Sequence, residues 1–257
     1  NKMGLKTILY LVAVVPPVEG DYRSNLLLDK VLGADINIIN LEDGMTEEDG
    51  EKLGSKLAEE KIEELKTKGI CAYDIPVGGS TPVGALGFTR GYLEYERQLA
   101  EMEMADMDHM FITAGSGGTM AGILAGKSLL NSKTNITGVA VSPKDDSYKD
   151  KVAYLANESL KMLGVNSIVE RNEVNIDTNY VGEGYEIPTK AASEAIKYFA
   201  RREGIILDPV YTGKAMSGLL DYVKSGKVPQ GSKVVFWHTG GGTALFAEEK
   251  MVGKIFD

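Results

Sequence analysis

Short apolar, β-branched runs alternate with longer amphipathic stretches along the whole chain, and that alternation constrains the fold more than any other feature. The runs fall at 7–15, 36–41, 72–77, 109–113, 138–142, 168–173, 205–207 and 233–238. Several are unbroken Val/Ile/Leu sequences without polar alternation, the pattern of parallel strands covered on both faces. Helical patterns occupy 24–32, 46–68, 82–104, 119–131, 147–163, 189–203, 214–225 and 243–250. Thr189 after Pro188 is an N-cap signal, and Gly204 a C-cap signal. The expectation is an α/β, doubly wound chain in two domains. A smaller one over 1–80 would hold the first three strands, and a larger one over 81–257 the other five. The seam would be Val77-Gly-Gly-Ser-Thr, and a cleft between two α/β layers is a common ligand site.

Composition narrows the partners. Twenty-eight Lys and Arg against 37 Asp and Glu leave a net charge of −9. That argues against nucleic acid or an anionic membrane, which reward clustered positive charge, but not against a small anion held by backbone amides. The single cysteine, Cys71, excludes an internal disulfide and suits a reducing cytoplasm. His109 and His238 stand far apart, and no Cys/His cluster has metal spacing, so no metal site is expected. The longest apolar run, 8–15, is well short of the roughly 18 residues a membrane helix needs. Lys2 and Lys6 before it imitate a signal peptide only weakly, since no small-residue cleavage site follows. The sequence opens at Asn1, and Asn-Lys-Met-Gly-Leu-Lys reads as the end of a helix with Gly4 as its C-cap. A fragment of a longer protein is therefore expected.

Three glycine-rich turns each follow an apolar run: Val77-Gly-Gly-Ser-Thr-Pro, Thr113-Ala-Gly-Ser-Gly-Gly-Thr and Thr239-Gly-Gly-Gly-Thr. In open α/β sheets such turns sit at the carboxyl ends of strands, where ligands bind. The second is the most informative. Gly115, Ser116, Gly117, Gly118 and Thr119 join a strand end to a helix start, a geometry whose free amides and helix dipole suit a phosphate monoester. A plain strand-to-helix turn is the alternative reading. Two nucleotide motifs fail. A dinucleotide fingerprint needs glycine at position 120, which is Met120, and the P-loop-like string ending Gly126-Lys127-Ser128 puts its lysine two turns into the helix. The loop 181–188 carries Tyr185 between glycines, and Leu207-Asp-Pro-Val-Tyr-Thr-Gly-Lys leads Tyr211 and Thr212 into a helix. Taken singly, each tyrosine reads first as a packing residue, and Asp208, Lys214 and His238 as structural.

Together these segments resemble the pyridoxal-phosphate enzymes of the D-cysteine desulfhydrase and 1-aminocyclopropane-1-carboxylate (ACC) deaminase family, over the entire chain and in family order. The resemblance implies the tryptophan-synthase-β-like fold, with two parallel-sheet αβα domains, the smaller one incomplete at its N-terminus. It implies that Gly115, Ser116, Gly117, Gly118 and Thr119 hold the cofactor phosphate, and that Tyr185 meets the substrate. It also implies that Tyr211 stacks on the pyridine ring and that the Thr239 hydroxyl meets the pyridine nitrogen. One position divides the family: deaminases place glutamate after the stacking tyrosine, where this chain has Thr212. Hydroxyls at Thr212 and Thr239 would leave the ring largely neutral, which favours β-elimination from D-cysteine over opening a cyclopropane.

The family's Gly-Asn-Lys segment with the Schiff-base lysine, and its Ser-Asn motif, have no counterpart here; Lys2 precedes a match to a later helix. Cofactor attachment and α-proton transfer need that amine. The expectation is thus an α,β-eliminase yielding pyruvate, sulfide and ammonia, with its lysine outside these 257 residues and these residues alone inactive. ACC deaminase, a catalytically silent phosphate-ligand binder and a nucleotide-dependent enzyme are the rival readings. The expected setting is a cytoplasmic homodimer acting on a small amino acid.

Overall fold

The computed structural model describes residues 2–13, 18, 20, 22–104 and 107–246. The chain divides into two compact units, Asn1–Ile75 and Pro76–Asp257, a few residues ahead of the boundary expected at 80/81.

In the first unit, β1 (Ile8–Ala13) runs parallel to β2 (Asp35–Asn40), with Ile8 opposite Asp35 and Ala13 opposite Asn40. Helix α1 (Ser24–Val31) connects them, and α2 (Glu47–Thr67) follows. The N-terminus of α2 is closed by a capping box: the Thr46 hydroxyl accepts from the Asp49 amide, while the Asp49 carboxylate accepts from the Thr46 amide. Apolar burial here is thin. β1 is only half-buried, α1 buries no residue, and Ile39 is the one buried large apolar side chain among the described residues of this unit. The third strand expected at 72–77 does not form. Residues 72–76 are irregular and lead into a 3-10 turn at Val77–Gly79, with Tyr73 and Ile75 exposed. The expected strand at 7–15 also reached residues 14 and 15, which lie outside the described residues.

The second unit is built on four parallel strands in the order β5-β4-β3-β6. They are β3 (His109–Ala114), β4 (Asn135–Ala140), β5 (Ile176–Asp177) and β6 (Val234–Trp237). Alternation along β3 supplies both cores. Met110 and Ile112 join Tyr92, Met120, Ile123 and Leu160 beneath α3 (Pro82–Glu101), α4 (Gly118–Leu130) and α5 (Ser147–Met162). Phe111 faces the other way, to Val139, Ala215 and Val228 under α7 (Thr212–Lys224), which α6 (Lys190–Glu203) covers through Ala195 and Ile196, with Leu207 of the following connection packed among them. The result is three layers, helix–sheet–helix, as expected.

Two of the expected strands of this unit are extended connections whose backbone is satisfied by side chains. At 168–173, the Asn157 amide group bonds both the amide and the carbonyl of Val169, and the segment ends in a 3-10 turn. At 205–207, the His238 ring bonds the Ile206 carbonyl, and the Asp208 amide that follows the segment donates to the Thr212 hydroxyl. The helix expected at 243–250 is a 3-10 turn, Gly242–Phe246, and its remainder lies outside the described residues.

Candidate active site

β3 sits between β4 and β6, and the chain leaves β3 towards β4 while β6 returns on its other side. The carboxyl edge at such a reversal is where open α/β sheets bind ligands. Two of the three glycine turns emerge there side by side: 115–118 after β3 and 239–242 after β6. The third, at 77–80, follows no strand. It lies instead against the first of these turns, where the Ser80 hydroxyl donates to the Ser116 hydroxyl at 2.6 Å and accepts from the Gly118 amide at 3.1 Å.

The 115–118 turn has the geometry of an anion nest. Gly117 is the N-cap of α4 at φ +104°, a left-handed conformation that disfavours any side chain, and its missing Cβ would stand 3.1 Å from Val152 Cγ2. α4 has no side-chain cap, and the amides of Ser116, Gly117, Thr119 and Met120 make no hydrogen bond among the described residues. Two buried hydroxyls beside the turn also have no partner among the described residues, Thr113 Oγ1 and the phenol of Tyr148, the latter 3.5 Å from the Gly117 Cβ position. Burial holds the Tyr148 phenol well above the usual tyrosine range, so it stays a neutral donor. Lys144 lies 5.1 Å from the centre of the Tyr148 ring and bonds the Ser142 hydroxyl; burial, then Lys151, depresses its pKa. Unsatisfied donors at a helix N-terminus fit a phosphate monoester.

The N-terminal turn of α7 is closed by its own chain. Asp208, fully buried, accepts from the amides of Val210, Tyr211 and Thr212 at 2.7–2.9 Å. Thr212 is also fully buried, and its hydroxyl donates to Asp208 Oδ1 at 2.6 Å while accepting from the Asp208 amide. The Thr212 hydroxyl is thereby held inside the turn. Gly241, at φ +92°, closes against the same carboxylate: a Cβ there would meet Asp208 Oδ1 at 2.5 Å. His238 fixes the start of that turn. Its Nδ1 accepts from the Gly240 amide, so Nε2 carries the proton given to the Ile206 carbonyl. Asp208 therefore draws the Tyr211 segment and the Thr239 turn together, with Thr239 itself exposed.

Tyr185 and Tyr211 meet. Their rings pack edge to face with centroids 5.7 Å apart, and their hydroxyls are hydrogen-bonded. Burial raises the Tyr211 phenol pKa, which keeps it protonated near neutrality. Lys214, one turn after Tyr211, is fully buried and gives its ammonium protons to the carbonyls of Val181, Gly184 and Tyr185 at 2.9, 2.7 and 3.0 Å. Its pKa is lowered by burial, against an opposing pull from Asp208. Sequence reading passed over Ser80, Thr113 and Tyr148. A serine hydroxyl and a strand threonine carry no signal of their own, although the Asp208-to-Thr212 spacing is a readable turn signature.

A tryptophan-synthase-type sheet with a phosphate-shaped nest and facing phenols at its carboxyl edge defines a class, and the sequence comparison agrees: the chain belongs to the family of pyridoxal-phosphate dependent enzymes, whose model matches residues 1–240. Its cofactor is pyridoxal phosphate. The 1-aminocyclopropane-1-carboxylate deaminase of Mesorhizobium japonicum is 33% identical over 248 residues, covering 95% of this chain and 71% of that protein. The crystal structure of an ACC deaminase homologue superposes with a TM-score of 0.79 at 36% identity, covering 95% of this chain and 69% of that one. A threonine deaminase from T.th. shares the fold, with a TM-score of 0.59 at 18% identity over 93% of this chain and 71% of that one. Among the described residues no helix is long and apolar enough to cross a membrane.

Proposed function

We propose that this chain forms the cofactor and substrate site of a deaminase that opens 1-aminocyclopropane-1-carboxylate to 2-oxobutanoate and ammonia. Bound at the nest, pyridoxal phosphate supplies the electron sink that makes bonds at the substrate α-carbon breakable. Gly115, Ser116, Gly117, Gly118 and Thr119 form the phosphate turn, with the free amides of Ser116, Gly117 and Thr119 as donors. Tyr211 presents its ring to the pyridine and Thr239 its hydroxyl to the ring nitrogen. Tyr185 and Tyr211 hold or move a proton at the substrate through their paired phenols. The observation that carries this reading is that pair: two hydroxyls from separate segments in contact at the carboxyl edge, the Tyr211 phenol kept neutral by burial. The identity to named ACC deaminases supports the substrate.

We place the lysine that attaches the cofactor outside these 257 residues, because no lysine here stands in the family's Gly-Asn-Lys context. Lys214 does not serve, because its ammonium protons are committed to three carbonyls and no lone pair is free for attack. One observation favours a second reading, D-cysteine desulfhydration: Thr212 stands where a deaminase of this family would carry glutamate. We place the enzyme in the cytoplasm as a homodimer, which native mass spectrometry tests.

The deciding experiment assays the full-length, pyridoxal-phosphate-loaded enzyme on both substrates. Formation of 2-oxobutanoate from ACC at a kcat/KM above that for sulfide release from D-cysteine supports the first reading. The reverse order replaces it with the second, and turnover of neither overturns both.

A further inference from the structure

The loop that carries Tyr185 has little of its own to hold it. Residues 181–187 belong to no helix or strand, hold only a turn at 182–183, include Gly182 and Gly184, and expose Glu183 and Glu186. A chain this open samples many conformations unless something outside it fixes the backbone. In this structure the tether is Lys214. Its three hydrogen bonds all end on this one loop, on the carbonyls of Val181, Gly184 and Tyr185 itself. A buried ammonium is costly unless its donors are satisfied, so the bond set is an all-or-none clamp. Lys214 belongs to α7, whose first turn follows Tyr211, and positions three apart lie on the same helix face. One helix thus sets both phenols: Tyr211 directly at its start, and Tyr185 through the lysine.

We propose that Lys214 is a positioning residue for the reaction, an internal cation that clamps the 181–187 loop and holds the Tyr185 hydroxyl against that of Tyr211. The proposal rests on the reading that these two tyrosines serve the substrate. It touches neither the cofactor nor the reacting atoms, and its effect passes entirely through the loop.

The test uses the full-length, pyridoxal-phosphate-loaded enzyme and its Lys214→Met variant. Cleavage by a glutamate-specific protease, followed by mass spectrometry, should speed up about tenfold or more after the exposed Glu183 and Glu186 and stay unchanged after the exposed Glu94 of α3. With ACC or D-cysteine, whichever the wild type turns over, kcat should fall at least tenfold while cofactor affinity stays within threefold. Cleavage after Glu183 and Glu186 that matches wild type overturns the clamp. Faster cleavage with unchanged kcat overturns its catalytic consequence. Should the variant not fold, reductive methylation of the wild type decides: Lys214 should remain unmodified while exposed Lys224 is dimethylated, and equal labelling of the two overturns the proposal. A wild type that turns over neither amino acid refutes the reading of the site, yet the cleavage and methylation results still judge the clamp on their own.

Discussion

Two helices of the larger unit begin at its sheet's carboxyl edge in opposite ways. At α4 the amides of Ser116, Gly117, Thr119 and Met120 have no partner among the described residues. At α7 the corresponding donors, the amides of Val210, Tyr211 and Thr212, are all taken by the buried Asp208 carboxylate. Both turns present the positive end of a helix, and both require a glycine at a tight place, Gly117 in one and Gly241 against the other. The difference is the source of the anion. The α7 turn carries its own, which makes it a rigid platform for Tyr211. The α4 turn leaves its anion to be supplied, which makes it a binding site.

The contrast is broken most severely by removing the internal anion. Asp208→Ala leaves three buried amides and the Thr212 hydroxyl without their acceptor, and unfolding free energy should fall by about 4 kcal/mol. Urea denaturation followed by circular dichroism measures this, and a loss below about 1 kcal/mol would mean that water replaces the carboxylate without penalty. Thr212→Val keeps the shape of the turn but removes a hydroxyl that both donates and accepts, so about 2 kcal/mol should be lost in the same assay. An unchanged midpoint would show that the turn does not depend on the Thr212 hydroxyl. A third helix start sharpens the comparison from the exposed end of the range. Thr46→Ala opens the α2 capping box and should cost about 1 kcal/mol. Its partner Asp49 has a pKa lowered from 3.8, first by the Thr46 side chain and then by the Thr46 backbone. A depressed acid stabilises above its unfolded pKa and loses that contribution as pH falls through its folded one. The Thr46→Ala deficit should therefore be full at pH 7 and shrink below pH 3.8, and a deficit constant down to pH 2 would contradict the capping geometry.

The sequence made the α/β alternation and the anion nest readable for physical reasons. Unbroken apolar runs such as Met110-Phe-Ile-Thr leave few alternatives to a covered parallel strand, and Gly-Ser-Gly-Gly at its end is costly in chain entropy for a turn without a task. Runs such as Ile205-Ile-Leu and Ser167-Ile-Val look the same in composition. Whether they pair depends on side chains far away in sequence: His238 and Thr212 satisfy one backbone, and Asn157 the other. The same limit hid the roles of Ser80 and Lys214. Ser80 acts on a turn 36 residues away and Lys214 on a loop 29 to 33 residues upstream, partnerships created only by folding.

The claim that the α4 turn is the place where an outside anion completes the protein has a direct measurement. Pyridoxal phosphate and unphosphorylated pyridoxal are titrated into the full-length protein and into its Gly117→Val variant, and the ratio of the two affinities is compared. A valine at this left-handed position must move the backbone or displace Val152, which spoils the convergence of the amides. Loss of two charge-assisted hydrogen bonds at about 1.5 kcal/mol each corresponds to a roughly 100-fold weaker hold on the phosphate. Wild type should therefore prefer the phosphorylated form by about 100-fold or more, with that preference largely lost in the variant. An equal preference in both proteins would contradict the assignment and place the phosphate elsewhere.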